Sequence, residues 1–229
     1  MSHVVVLAGG SPHAHDFAAT GAELAHLAVA AGHTVTCCGD PDDAARLVGG
    51  ADALVFDGLW WRMLGDAYDP WRPQFGYSPG AATRAALAGF VRDGGGLLAV
   101  HTAPICFDDW PEWGAVVGGA WQWGHSAHPP PQPATIQVTR EHPVVAGLPA
   151  EFVVSDEIYG DLAIDPGVDV LAVSRRDADD ADQPVVWAHR YGSGRVVYDA
   201  LGHDRDSLSH ADHRQLLSQA LAWVTEDAR

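Results

Sequence analysis

Short apolar segments alternate with helix-like segments at the start of the chain, and this alternation restricts the fold more than any other feature. Residues 4–8 are a β-branched apolar run that predicts a buried strand, and residues 16–31 carry large apolar side chains at helical spacing. A second strand at 33–38, a short helix at 41–48 and a third strand at 53–56 follow. Strands joined by helices through short connections predict a parallel sheet with right-handed crossovers and helices on both faces.

The pattern occurs once more before a long irregular segment. Ser78-Pro79 predicts the start of a helix, three glycines end that helix, and residues 97–100 form a fourth strand. Residues 102–134 are rich in Trp, Pro and Gly and contain one short helical stretch at 110–117. A segment of this length is uncommon as a plain connection in a compact domain, so it predicts a functional loop.

The second half of the chain is dominated by strands. They are predicted at 134–139, 152–155, 168–174 and 185–189. Few helical stretches separate them, so antiparallel edge strands or a flap are expected. A turn at 191–194 leads into a strand at 196–200, and a helix at about 210–224 follows. Without an internal repeat or a linker, residues 1–229 predict a single α/β domain.

The charge of the chain excludes several classes of function. Thirteen Lys and Arg residues stand against 30 Asp and Glu residues, which gives a formal net charge of −17. Such a chain repels phosphate backbones and anionic lipids, so neither nucleic acid nor a membrane is an expected partner. All 13 basic residues are Arg. The absence of lysine excludes a Schiff-base lysine, a pyridoxal phosphate anchor and a P-loop lysine.

The cysteines and the N-terminal segment indicate a compartment. Three cysteines without C-x-x-C spacing do not predict a disulfide framework. The sequence shows neither a secretory leader nor an apolar run of about 18 residues. We therefore expect a cytoplasmic protein. Cys106 lies in an apolar setting and is expected to be a packed thiol rather than a nucleophile.

Two histidines directly follow predicted strands. His101 comes after the strand at 97–100, where hydrolases place a nucleophile on a sharp turn, and His203 comes after the strand at 196–200. The carboxyl ends of parallel strands meet at one edge, so we expect both imidazoles over one crevice. With a carboxylate, for which Glu157 is the candidate, they would form a general acid/base group or part of a metal site. The alternatives are a structural histidine and a solvated loop acid.

Five further side chains are candidates for substrate binding, namely His15, Trp60, Trp110, His125 and Tyr159. His15 follows the first strand and would face the same edge, while His125 belongs to the long segment, which could close as a lid. Seven of the nine tryptophans lie between residues 60 and 123, and indole rings stack well on sugar faces. Packing of buried tryptophans is the alternative explanation for this cluster.

Four segments together are similar to one known family. They are GGGLLAVHTAPICFDDWPEWGAVVGGAW at 94–121, EHPVVAGLP at 141–149, SDEIYGDL at 155–162 and PVVWAHRYGSGRVVYDALGH at 184–203. In this order they resemble the trehalose-utilisation, ThuA-like family. The resemblance implies a class I glutamine amidotransferase-like fold, which is a flavodoxin-like three-layer sandwich with a mostly parallel central sheet. Amidotransferases carry a Cys where this sequence has His101, so glutaminase chemistry is not expected.

The resemblance also implies a link to the use of trehalose and related, often oxidised, disaccharides. We therefore expect a carbohydrate-processing protein that acts on a sugar or keto-sugar through His101, His203 and Glu157, by acid/base chemistry alone or around a divalent metal ion. A hydrolase, an isomerase or a lyase would each fit. The alternative is a non-catalytic sugar-binding or regulatory module, and an amidase using Cys106 ranks below both. The family implies a tendency to form homodimers.

Overall fold

Nine strands pair into one sheet within residues 1–226, the part of the chain that the computed structural model describes. The strands of the chain are β1 (His3–Gly10), β2 (Thr34–Cys38), β3 (Ala53–Leu59), β4 (Gly96–Val100), β5 (Gly119–Ala120), β6 (Gln132–Val138), β7 (Glu151–Asp156), β8 (Ala163–Ile164), β9 (Asp169–Ser174), β10 (Gln183–Tyr191) and β11 (Gly194–Asp199). The short strands β5 and β8 pair with each other, apart from the large sheet.

The large sheet has a parallel half and an antiparallel half. Its order is β2-β1-β3-β4-β11-β10-β9-β6-β7. Pairing is parallel from β2 to β11 and antiparallel from β11 to β7. The parallel strands follow the 2-1-3-4-5 order of flavodoxin-like folds. The predicted α/β class and its parallel sheet are therefore confirmed, and the sheet as a whole is mixed.

Two groups of helices pack on the parallel half of the sheet. The helices are α1 (Phe17–Ala30), α2 (Pro41–Leu47), α3 (Arg72–Phe75), α4 (Ala81–Arg92), α5 (Pro111–Val117), α6 (Arg205–Ser209) and α7 (Ala211–Thr225). Helix α1 contacts α6 and α7, whereas α4 contacts α2 and α5. This grouping is the layered arrangement that a β-α-β pattern requires.

Helix boundaries mostly follow local sequence signals. The side chains of Asp16 and Asp40 accept hydrogen bonds from backbone N–H groups in the first turns of α1 and α2, as N-cap residues do. The predicted start at Ser78 is wrong, because α4 begins at Ala81 and the Ser78 hydroxyl donates to Asp109 at 2.6 Å instead. Helices α3 and α6 span little more than one turn, so they leave no periodic pattern in the sequence.

The core contains buried aromatic side chains and one buried cysteine. The rings of Trp187 and Tyr198 lie 4.2 Å apart between their centroids, on the neighbouring strands β10 and β11. The thiol of Cys106 donates to the carbonyl oxygen of Gly58 at 2.9 Å, as expected of a packed thiol. Within residues 1–226, no helix is both long and apolar enough to cross a bilayer.

Candidate functional site

His101 stands at a strained turn directly after β4. Its backbone φ of 46° lies in the left-handed region, which is uncommon for a residue with a side chain. The turn is held by a 2.7 Å hydrogen bond from the His101 N–H to the Asp199 carbonyl oxygen. The ring Nδ1 of His101 lies 2.7 Å from the carbonyl oxygen of Ala200, which can only accept, so Nδ1 carries the proton. Strained backbone fixed by its surroundings is typical of functional sites.

Three histidine rings from distant parts of the chain contact one another at this edge of the sheet. His15 lies in the loop after β1 and His203 in the loop after β11. The ring centroids of His101 and His203 are 5.6 Å apart, and that of His15 lies 4.9 Å from the first and 4.8 Å from the second. The structure thus brings together the histidines that follow three strands.

Glu157 places its carboxylate among the imidazoles. Its Oε2 lies 3.6 Å from Nε2 of His101, 3.3 Å from Nδ1 of His203 and 3.4 Å from Nδ1 of His128. Burial opposes ionisation, but the neighbouring His101 and His203 outweigh it and hold the pKa of Glu157 well below its usual range. Burial likewise opposes protonation of His101, yet Glu157 and Asp156 outweigh it and raise the pKa of that imidazole.

Four of these side chains form a group that we call the His/Glu cluster: His15, His101, Glu157 and His203. One nitrogen or oxygen atom from each lies within 4.8 Å of the others. The Nδ1 atoms of His15 and His203 are buried and have no hydrogen-bond partner within residues 1–226. The 3.3 Å contact of His203 Nδ1 with Glu157 therefore lacks hydrogen-bond geometry. Burial, reinforced by His101 and His203, lowers the pKa of His15 to about 3, so this ring is neutral at neutral pH.

Asp156 supports the cluster from behind. Its buried carboxylate accepts hydrogen bonds from the backbone N–H groups of Glu157 at 2.8 Å, Gly202 at 2.7 Å and His203 at 3.3 Å, and from the hydroxyl of Ser207. Asp156 thereby fixes the backbone of two cluster residues. The sequence indicates Asp156 only as a neighbour of Glu157. Its position as the last residue of β7 is the one sequence feature that points to its supporting role.

The side chain of Tyr159 lies beside that of His101. Its hydroxyl is 3.1 Å from Nε2 of His101, and its ring contacts those of His128 and Trp121 at centroid distances of 5.2 and 5.4 Å. Burial raises the pKa of Tyr159 well above its usual value, so the phenol keeps its proton. Tyr159 is therefore positioned as a proton or hydrogen-bond donor in the site.

The structure does not bring Trp60, Trp110 and His125 to the cluster. Trp60 and Trp110 belong to the hydrophobic core, with ring contacts at 5.7 Å to Phe56 and 5.6 Å to Trp113. His125 is exposed. A role of these three side chains in substrate binding stays a prediction, without support from their placement.

Phe17 contacts the cluster, and we call Phe17, Trp61 and Trp123 together the aromatic shelf. The ring of Phe17 contacts His15 at 5.5 Å, and Phe17 and Trp61 share a small hydrophobic cluster. Trp61 stacks on Trp123 at 6.4 Å, and Trp123 is 49% exposed. The buried indole N–H of Trp61 has no partner within residues 1–226. A cleft of about 530 Å³, lined by His13, His15 and Phe17, opens beside the shelf.

Solved structures share this fold. A ThuA-like protein from Parabacteroides merdae matches with a TM-score of 0.79 and 18% identity, over 98% of this chain and 90% of that chain. A ThuA-like protein from Bacteroides uniformis matches with a TM-score of 0.71 and 21% identity, over 99% and 92%. A cytoplasmic protein from Salmonella typhimurium matches with a TM-score of 0.64 and 13% identity, over 98% and 99%. At these identities the likeness shows the fold alone.

The sequence carries a family signature along almost its whole length. No curated protein is a match for this sequence. The family model described as ThuA, trehalose utilisation, matches residues 3–224. This range includes every strand of the sheet and all four residues of the His/Glu cluster. The chain therefore belongs to the ThuA family.

Proposed function

We propose that this chain is a carbohydrate-processing enzyme that acts on a sugar or keto-sugar at the His/Glu cluster. The observation that carries the proposal is the meeting of His101, His203 and Glu157 at the carboxyl edge of the parallel strands. Ligands of open α/β sheets bind at that edge. The family is described by trehalose utilisation, which makes a carbohydrate the substrate class to test first.

The two strand-end histidines are suited to opposite roles in proton transfer. Burial opposes protonation of His101, but Glu157 and Asp156 outweigh it and raise the pKa of this imidazole, which favours the protonated form that acts as an acid. Nδ1 of His203, which makes no hydrogen bond within residues 1–226 and lies 3.3 Å from Oε2 of Glu157, can act as the base. In a keto-sugar, the base removes the proton next to the carbonyl while His101 or Tyr159 donates to the developing oxyanion. In a cleavage reaction, the same acid protonates the departing oxygen.

The surroundings of the cluster favour an uncharged carbohydrate over a phosphorylated ligand. Trp123, which is 49% exposed and stacks on the buried ring of Trp61, offers a ring face for the C–H face of a sugar. The net charge of −17 opposes the approach of phosphate esters.

Cys106 is unsuited to thiolate chemistry. Its sulfur is buried, accepts from the Trp60 N–H at 3.3 Å and donates to Gly58. Burial raises the pKa of this thiol, so the nucleophilic thiolate is not formed at neutral pH. These contacts support a reaction through the histidines rather than an amidotransferase or amidase reaction.

The proposal is tested by turnover of a panel of disaccharides and their keto derivatives, followed by NMR. We expect one of them to be converted by the wild-type protein and conversion to fall by at least about 100-fold in His101→Ala and His203→Ala. His26→Ala, on the exposed side of α1, is the matched control. Binding of a sugar without conversion of any compound would instead identify a receptor or regulatory module.

A further inference from the structure

We infer that the His/Glu cluster is a binding site for one divalent transition-metal ion, with zinc as the best-matched probe. This role rests on the proposed function, because it assigns a cofactor to the same site. It also changes the assignment of individual residues. His15 becomes a metal ligand rather than a substrate contact, and His101 and His203 hold the ion through their ring nitrogens instead of acting as the acid and the base.

The donor set matches this class of ion. Three imidazoles and one carboxylate present four donor atoms within 4.8 Å of one another. A zinc ion about 2.0–2.2 Å from each donor needs donors roughly 3–4 Å apart, so small side-chain rotations complete the site. Magnesium and calcium prefer oxygen donors, whereas imidazole nitrogen favours zinc and its neighbours in the first transition row.

A hydrogen bond at one nitrogen of the His101 ring suits the other nitrogen for binding a metal ion. The bond from Nδ1 of His101 to the Ala200 carbonyl fixes the tautomer and leaves Nε2 on the side of Glu157, an arrangement usual for metal-bound histidines. Asp156 holds the backbone at both Glu157 and His203. The ligands therefore come from four separate loops, and hydrogen bonds within the protein hold three of them, at His101, Glu157 and His203.

Two buried ring nitrogens of the cluster make no hydrogen bond within the described part of the chain. These atoms are Nδ1 of His15 and Nδ1 of His203. His15 as a whole is 9% exposed. Buried polar atoms in proteins are nearly always paired. One cation between the two rings satisfies both atoms and neutralises the charge of Glu157.

A metal ion bound to His101 would take the place of the contact between this ring and the hydroxyl of Tyr159. Its hydroxyl contacts Nε2 of His101 at 3.1 Å, the atom that would hold the ion. With that nitrogen occupied, the Tyr159 hydroxyl is free to donate to a substrate oxygen. His128, whose Nδ1 lies 3.4 Å from Glu157 and whose side chain is 35% exposed, stands at the open side of the site. A divalent ion here would polarise the carbonyl of a keto-sugar as a Lewis acid.

The test is calorimetric titration of tag-free, chelator-stripped protein with zinc chloride, with magnesium chloride in parallel. We expect about one equivalent of tightly bound zinc, weak or no magnesium binding, and a higher melting temperature with zinc. Glu157→Gln, His15→Ala and His203→Ala should each weaken zinc binding by at least about 100-fold. The control is His13→Ala, because the His13 ring packs on Trp71 and Phe75 outside the cluster.

Three outcomes would overturn the metal site: no stoichiometric binding, binding that the cluster substitutions leave unchanged, or a preference for magnesium. Glu157→Gln preserves size, and circular dichroism shows whether each variant is folded. Turnover measurements separate this inference from the proposed function. Zinc binding without conversion of any sugar supports the metal site and contradicts the proposed enzyme. Full conversion by the stripped protein supports the enzyme and contradicts the metal site.

Discussion

The carboxylate of Asp156 accepts a 2.7 Å hydrogen bond from the backbone N–H of Gly202, and this bond joins the end of β7 to the loop after β11. These two segments carry Glu157 and His203, which have to meet for the site to exist. Gly202 has a φ of 109°, and a Cβ at this position would lie 2.9 Å from the Val100 side chain. The loop is therefore held by a specific bond at a position that suits glycine.

Asp156→Asn should loosen the cluster without replacing any of its four side chains. The amide keeps the size of the carboxylate but has one oxygen acceptor for several donors. We expect a loss of about 2 kcal/mol in the free energy of unfolding and a roughly 10- to 100-fold weaker zinc affinity. Urea unfolding and calorimetry measure the two effects. An unchanged zinc affinity would show that Asp156 acts on stability alone.

Asp57 should make the stability of the metal-free protein depend on pH. Burial raises its pKa to about 7, although the Thr20 hydroxyl donates to it at 2.6 Å. The folded pKa exceeds the unfolded one, so this group contributes most below pH 4 and its contribution is lost as the pH rises through 7. Between pH 5 and 8 the wild type should lose about 2 kcal/mol relative to Asp57→Asn.

Urea unfolding at several pH values checks this prediction. Asp66→Asn, at an exposed position, is the control and should follow the wild-type curve. A parallel pH dependence in the wild type and in Asp57→Asn would contradict the assignment to Asp57.

Tyr159→Phe should separate metal binding from turnover. Removing the hydroxyl removes a competitor for Nε2 of His101, so zinc affinity should stay the same or increase. Loss of the donor should reduce kcat by about 100-fold or more. Calorimetry and steady-state kinetics on the zinc-loaded protein give the two values. Weaker zinc binding together with unchanged kcat would assign Tyr159 a structural role instead.

Trp123→Ala should affect substrate binding more than catalysis. Trp123 is the exposed partner of the Trp61 stack, so its loss should raise KM by about 3- to 10-fold and leave kcat nearly unchanged. Trp110→Phe offers a comparison, because Trp110 packs in the core and its substitution should lower the melting temperature instead. A larger KM effect at Trp110 than at Trp123 would favour the binding role predicted from the sequence.

Sequence reasoning located part of the site through the ends of strands. His101 and His203 follow β4 and β11, and these strands are neighbours in the sheet, so both rings lie at the same edge. The tryptophans show the limit of this approach. Trp60 and Trp61 are adjacent in the sequence, yet Trp60 belongs to the main core and Trp61 to the small cluster that reaches His15 through Phe17. Amino-acid composition does not distinguish these two tryptophans.

The sequence by itself determined the alternating elements, the parallel half of the sheet and the family, because apolar periodicity and short motifs are local properties of the chain. The sequence placed His15 at the same edge of the sheet, but the tertiary structure alone decided that its ring contacts those of His101 and His203 and that Asp156 joins two loops. Those facts depend on strand order and on burial between segments far apart in the chain. No local sequence pattern determines the distances between these side chains, because those distances are set only when the strands of the sheet pack together.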